Sequence, residues 1–122
     1  MATQEISSTD WKLFCERFVD LHRGALMTVM KIEPSGQSQE VIRDMPLRKA
    51  WMENGECNDR IFFDFEQEGK RECIHEIIDP IHVKLREEAQ GKKGLQIDAE
   101  NGSTLILFSS GKLNELLSGL HH

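Results

Sequence analysis

The chain has 122 residues, of which 39% are hydrophobic and 30% are charged, a composition typical of one globular domain. Its 21 acidic residues outnumber its 15 basic residues, which argues against nucleic acid as a partner because phosphates are bound by clustered Lys and Arg. No stretch approaches the roughly 20 apolar residues of a membrane span, and no signal peptide is recognisable. Cys15, Cys57 and Cys73 form no CxxC pair. We therefore predict a single cytoplasmic domain over residues 1–122 without a disulfide framework.

An amphipathic helix is predicted over about residues 9–23. Apolar side chains recur three and four positions apart from Trp11 through Phe14 and Phe18, and charged side chains fall on the opposite side. Polar residues before Trp11 offer N-cap side chains, and Gly24 stands where a C-cap glycine is expected. Because the apolar stripe is strongly aromatic, we expect this helix to pack against a large apolar surface.

From about residue 25 to 109 the sequence has the pattern of a β-meander. Short β-rich runs alternate with turn signals, and the runs cover residues 26–32, 39–43, 60–66, 73–78, 81–86, 95–100 and 103–109. Pro80 stands between two of these runs and predicts a bend at a sheet edge. The segment 47–53 fits either a strand or a short helix.

Asn101-Gly102 is the clearest turn signal in the chain. An Asn-Gly pair between two β runs predicts a type I′ turn, because that turn needs positive φ at both central positions. With Asn101 and Gly102 in the centre of the turn, Ala99 faces Thr104 on the core side of the hairpin.

Leu105 and Leu107 point to the other, half-polar side of the predicted hairpin. Leucines at helical spacing predict a short helix over about residues 112–120 that would cover them; otherwise Leu105 and Leu107 form part of an interface. The order of elements contains no βαβ crossover and predicts an α+β fold. We expect an antiparallel, strongly curved sheet or partly open barrel of five to seven strands, with the N-terminal helix against one side or end.

Several short motifs occur along this sequence, each of them once. In chain order they are Trp11-x-x-Phe14, Phe18, His22-x-Gly24, Arg43-Asp44-Met45-Pro46-Leu47, His75 before Pro80 and Val83, and the hairpin from Ile97 to Phe108. In this order, and over nearly the whole chain, the sequence resembles a family of small bacterial proteins catalogued only as a domain of unknown function. The resemblance implies a bacterial origin and a stand-alone domain, and it brings no activity, cofactor or catalytic residue.

Arg43, Asp44, His75 and His82 form the candidate polar binding cluster. Arg43 and Asp44 precede a rigid proline turn, and the two histidines lie on either side of the predicted bend, where they could approach each other. Cys73 shares a strand face with His75 and suits a metal or a nucleophile. The spacing matches no metal signature, however, and no catalytic motif accompanies it. We predict no catalytic residue, metal or cofactor.

Two functions from different classes are consistent with the sequence. The first is a non-catalytic protein-interaction or self-associating module, indicated by the outer-face pair Leu105 and Leu107, with Trp51 as a further candidate interface residue because Trp is a common interface anchor. The alternative is a small-molecule-binding protein or enzyme with a pocket between the curved sheet and the N-terminal helix, in which the polar cluster supplies the polar groups.

Overall fold

A computed structural model describes residues 3–67, 70–87 and 92–109. Within these ranges the chain forms eight β-strands and one α-helix. The elements are β1 (Thr3–Ile6), a 3-10 turn (Ser8–Asp10), α1 (Trp11–His22), β2 (Leu26–Ile32), β3 (Ser38–Asn54), β4 (Asp59–Gln67), β5 (Lys70–Ile78), β6 (Pro80–Glu87), β7 (Lys92–Ala99) and β8 (Gly102–Ser109). The predicted helix over 112–120 lies outside the described residues.

The strands form one antiparallel sheet in the order β1-β6-β7-β8-β2-β3-β4-β5. Strand β3 has 17 residues, and its first half pairs with β2 while its second half pairs with β4. The sheet is not closed, and β1 and β5 are its edges. A hydrogen bond between His75 of β5 and Thr104 of β8 joins strands that are separated by three others. The sheet is therefore strongly curved, as predicted.

The expected count of five to seven strands is wrong, because the described residues contain eight. Strand β1 has only four residues and one buried side chain, Ile6, so it shows no alternation that a sequence pattern could detect. The ambiguous segment 47–53 is part of β3. The bend predicted at Pro80 is confirmed: Asp79 has a φ of 54° and separates β5 from β6.

Helix α1 packs its aromatic stripe against the inner face of the sheet, the face that carries the buried core. Phe18 is fully buried, and its ring meets Phe63 of β4 and Phe108 of β8 edge-on, at centroid distances of 6.2 and 5.3 Å. Aromatic rings thus fill the space between α1 and these two strands. Trp11 Nε1 donates a hydrogen bond to the carbonyl oxygen of Ile6 at 2.9 Å, which ties α1 to β1. In the described part of the chain no helix is long and apolar enough to cross a membrane.

The β7–β8 hairpin forms, but its turn differs from the predicted one. Ala99 pairs with Gly102 instead of Thr104, so Glu100 and Asn101 are the central residues. Neither has a positive φ, whereas Gly102 has a φ of 127°, which does not fit a type I′ turn.

A Cβ at Gly102 would overlap the carbonyl oxygen of Ile32 on β2. The glycine is therefore needed for a close approach of two strands. Because the register differs from the predicted one by two residues, an even number, every side chain keeps its predicted face.

Candidate functional site

A groove of about 500 Å³ opens on the outer face of the sheet, across β8, β2 and β3. We call it the outer groove. The alternation of β2 directs Leu26, Thr28 and Met30 into it, while the intervening residues enter the core. Leu107 of β8 is the ladder partner of Thr28. Three apolar side chains and one hydroxyl therefore form the floor.

Irregular pairing in β3 shapes one rim of the outer groove. The register between β2 and β3 shifts on both sides of Val29, and Asp44 has a φ of 47°, a conformation uncommon for residues other than glycine. The Asp44 backbone N–H donates to Thr28 Oγ1 at 3.3 Å, and the Thr28 hydroxyl donates to Asp44 Oδ1 at 3.4 Å. The bulged rim is thus fixed to the floor, and bulges of this kind re-aim side chains next to binding sites.

Four charged side chains line the rim. Arg43 Nε lies 3.2 Å from Glu40 Oε2, so these two charges on β3 form an ion pair. Asp44 also belongs to the β3 rim, and Lys92 lines the groove from β7 on the opposite side. Within residues 3–67, 70–87 and 92–109, neither Asp44 nor Lys92 forms an ion pair. Among the described residues, the groove therefore carries one uncompensated charge of each sign on its two sides.

The outer groove unites parts of two sets of predicted site residues. Arg43 and Asp44 from the polar cluster meet Leu107 from the predicted interface, and Leu105 lies beside them, paired with Met30 of β2. The contributions of β2 and β7 to the groove are not predicted from the sequence. The alternating pattern of β2 is sufficient to predict which of its side chains point outward. The residues of β7, in contrast, do not indicate that its first residue, Lys92, faces β3 across the groove.

The two predicted histidines lie elsewhere. His75 points to the inner side, and its Nε2 is 3.1 Å from the hydroxyl oxygen of the buried Thr104. His82 is exposed, and its Nδ1 is 2.8 Å from Glu5 Oε2 on β1. The four residues of the polar cluster are therefore not brought together. The physical reason is the bend between β5 and β6, which sends the two strands to different parts of the sheet.

Trp51 is half-buried on the part of β3 that pairs with β4. Its ring stacks on Phe62, its ladder partner, with a centroid distance of 4.9 Å and an interplanar angle of 11°. Its Nε1 donates a hydrogen bond to Glu53 Oε2 at 2.9 Å. This predicted interface residue thus lies outside the outer groove, and one face of its ring is already covered.

Nothing in the described ranges groups three or more His, Cys, Asp or Glu side chains closely enough to hold a metal ion. Comparisons with models of protein families, with curated proteins and with solved structures give no match to this chain. The resemblance to a bacterial family stays a prediction, and the function has to be argued from the geometry of the site.

Proposed function

We propose that this protein is a non-catalytic, self-associating interaction module of a bacterial cytoplasm, and that a second copy of the chain docks on the outer groove. The observation that carries the proposal is the combination of an apolar floor with a rim on which Asp44 and Lys92 form no ion pair with any described residue. Leu26, one of the apolar side chains of the floor, leaves 57% of its surface exposed. An exposed apolar patch with a polar rim is typical of protein interaction sites.

The order of the strands supports a second copy as the partner. A two-fold interface has to be self-complementary. The groove lies across four adjacent strands in the order β7-β8-β2-β3. We place a two-fold axis parallel to these strands, midway between β8 and β2. Rotation about this axis lays β7 of one copy over β3 of the other. Lys92 then faces Asp44 of the second copy, and the same contact occurs twice. Two sheets packed face to face in an aligned manner are a common arrangement in β proteins.

The expected energetics follow from the composition of the groove. Removal of Leu26, Met30 and Leu107 from water supplies the affinity, at about 25 cal/mol for each Å² of apolar surface. The Lys92–Asp44 contacts lie at the rim, where charge pairs govern orientation and partner choice more than affinity. A standard interface buries about 800 Å² on each partner, whereas the apolar floor of the outer groove consists of only three side chains. We therefore expect a weak dimer that forms in the micromolar range or above.

The cysteines support the proposed compartment. Cys15, Cys57 and Cys73 are all free thiols, and free thiols are typical of proteins in the reducing cytoplasm. Cys15 is buried in the core, and burial raises its pKa to about 12, so it behaves as a small apolar side chain.

Sedimentation equilibrium of the full chain over a wide range of concentrations tests the proposal. We expect a reversible monomer–dimer equilibrium, and we expect Leu26→Asp to weaken it about tenfold or more, because it buries a charge on the apolar floor of the groove. Leu13→Asp is the matched control. Leu13 is 42% exposed on α1, outside the groove, and its replacement should leave the dimer unchanged.

Two outcomes of this experiment contradict the proposal. One is a monomer at every concentration, which is the result expected if residues 112–120 of the same chain cover the groove. The other is a dimer that responds equally to Leu26→Asp and Leu13→Asp, which would place the interface elsewhere.

A further inference from the structure

A second cavity, unrelated to the outer groove, lies where the inner face opens between β5 and the β7–β8 hairpin. Its volume is about 170 Å³, and its lining includes Lys31, His75 and Thr104 together with the apolar side chains of Ile77 and Ala99. We call it the inner cleft. Pockets for drug-sized ligands begin at about 300 Å³, so the inner cleft suits only a small molecule.

In the hydrogen bond between His75 and Thr104, one N–H or O–H donor of the pair is not used, whichever tautomer the imidazole adopts. If Thr104 donates its hydroxyl hydrogen to Nε2, the neutral ring carries its hydrogen on Nδ1. If Nε2 donates to Thr104 Oγ1, the hydroxyl hydrogen is left over. The 3.1 Å contact is the hydrogen bond that the described residues provide for this pair. In the described part of the chain one polar hydrogen of this pair therefore has no protein acceptor; it does not belong to the fully buried unpartnered groups, so it is open to water or to a ligand at the cleft.

Lys31 adds a positive charge to the same cleft. It is the ladder partner of Thr104, and it forms no ion pair with any residue that the structure describes. Burial of His75, and secondly the charge of Lys31, lower the pKa of His75 below its ordinary value of 6.5. Glu76 also lines the cleft, but its carboxylate is 2.9 Å from the guanidinium of Arg60 on the neighbouring strand. A cation and a spare donor thus meet in one cavity, and the acid next to them is already paired.

We propose that the inner cleft binds the carboxylate of a short-chain aliphatic acid. The carboxylate oxygens accept the spare hydrogen of the His75–Thr104 pair and lie next to the Lys31 ammonium, while the aliphatic tail contacts Ile77 and Ala99. A carboxylate offers the acceptors that the site lacks, and hydrogen bonds to a charged group are stronger than those between neutral groups. This binding does not depend on the outer groove, which lies on the opposite face of the sheet.

NMR titration of the full chain with sodium propionate tests the proposal through the ring signals of His75. We expect a saturable shift that sodium chloride at equal ionic strength does not produce. Thr104→Val removes the hydroxyl and should weaken binding about tenfold, whereas Thr104→Ser keeps it and should retain binding. Lys31→Gln should also weaken binding several-fold. Lys49→Gln, at an exposed position of β3 outside the cleft, is the matched control and should have no effect.

The affinity for propionate is expected to rise as the pH falls through the pKa of His75 in the complex. The bound anion favours the protonated ring, and imidazolium donates from both nitrogens. Lys31 is the other charged group that faces His75 in the cleft, whereas Glu76, the next residue along β5, points to the other face of the sheet and pairs with Arg60. In His75→Gln, which is titrated through the backbone amide signal of Thr104 and whose thermal unfolding serves as the folding control, this dependence on pH should be absent.

Three results would overturn the proposal. The first is a His75 shift that is linear in propionate or that chloride reproduces. The second is equal affinity in Lys31→Gln and Lys49→Gln. The third is saturable binding of inorganic phosphate without binding of propionate, which would assign the cleft to a different class of anion.

Discussion

Gly102→Ala is expected to lower the free energy of unfolding by about 3 kcal/mol or more, whereas Gly36→Ala should lower it by only about 1 kcal/mol. Both glycines have a positive φ, of 127° and 95°, so alanine is strained at each position. The difference lies in the space available. A Cβ at Gly102 overlaps the carbonyl oxygen of Ile32, whereas a Cβ at Gly36 meets no atom within 4 Å.

Urea denaturation of the two glycine variants, measured side by side, separates these two contributions. The backbone of β2 cannot yield without disturbing its pairing with β8, which positions both Thr28 opposite Leu107 and Lys31 opposite Thr104. Equal losses of stability in the two variants would show that the close approach of the strands carries no energetic weight.

Phe18→Ala is expected to lower the free energy of unfolding by about 3–5 kcal/mol, the usual range for removal of a buried aromatic ring. Phe18 has 0% exposure, and its ring contacts Phe14 on its own helix as well as Phe63 and Phe108 on the sheet. Well-packed neighbours on three sides limit how far the core can collapse into the cavity.

Leu13→Ala, on the exposed side of the same helix, is the matched control for Phe18→Ala. Its effect should stay within about 0.5 kcal/mol, because Leu13 lies outside the buried core with 42% of its surface exposed and alanine is the better helix former. Chemical denaturation of the two variants provides the comparison. A loss in Phe18→Ala as small as that in Leu13→Ala would mean that α1 does not hold the sheet together.

The elements that the sequence predicts well are those with a long periodic pattern. The spacing of three and four residues that begins at Trp11 predicts helix α1, and alternation predicts the strands around Phe63 and Val83. Strand β1 is not predicted because it has only one buried residue and forms by pairing with β6, which is remote in sequence. The prediction of the turn at Gly102 is wrong for a similar reason. The glycine is required by the close approach of the neighbouring strand β2 and not by the local turn.

The site depends still more on contacts that are remote in sequence. The charged pair Arg43-Asp44 was singled out from its place before a proline, but the bulges that turn Asp44 toward Thr28 have no local signature. Lys92 joins the outer groove only because β8 and β2 lie between β7 and β3. His75 and His82 were expected together because the sequence does not reveal that the bend between them separates their strands across the sheet.

The most direct test of the central claim is a double-mutant cycle on the two charges that the proposed dimer places in contact. Lys92→Glu should weaken dimerisation, because the new carboxylate faces Asp44 of the second copy. Asp44→Asn alone should also weaken it, since an attraction is lost. Asparagine is chosen because it tolerates the positive φ of this position as aspartate does.

In the Lys92→Glu background, Asp44→Asn should instead strengthen dimerisation, because it removes a repulsion. Sedimentation equilibrium of the four proteins measures this reversal of sign. The proposed interface predicts that Asp44→Asn raises the dimer dissociation constant in the parent protein and lowers it in the Lys92→Glu variant. The same effect of Asp44→Asn in both backgrounds would contradict the proposed docking of a second copy across the outer groove.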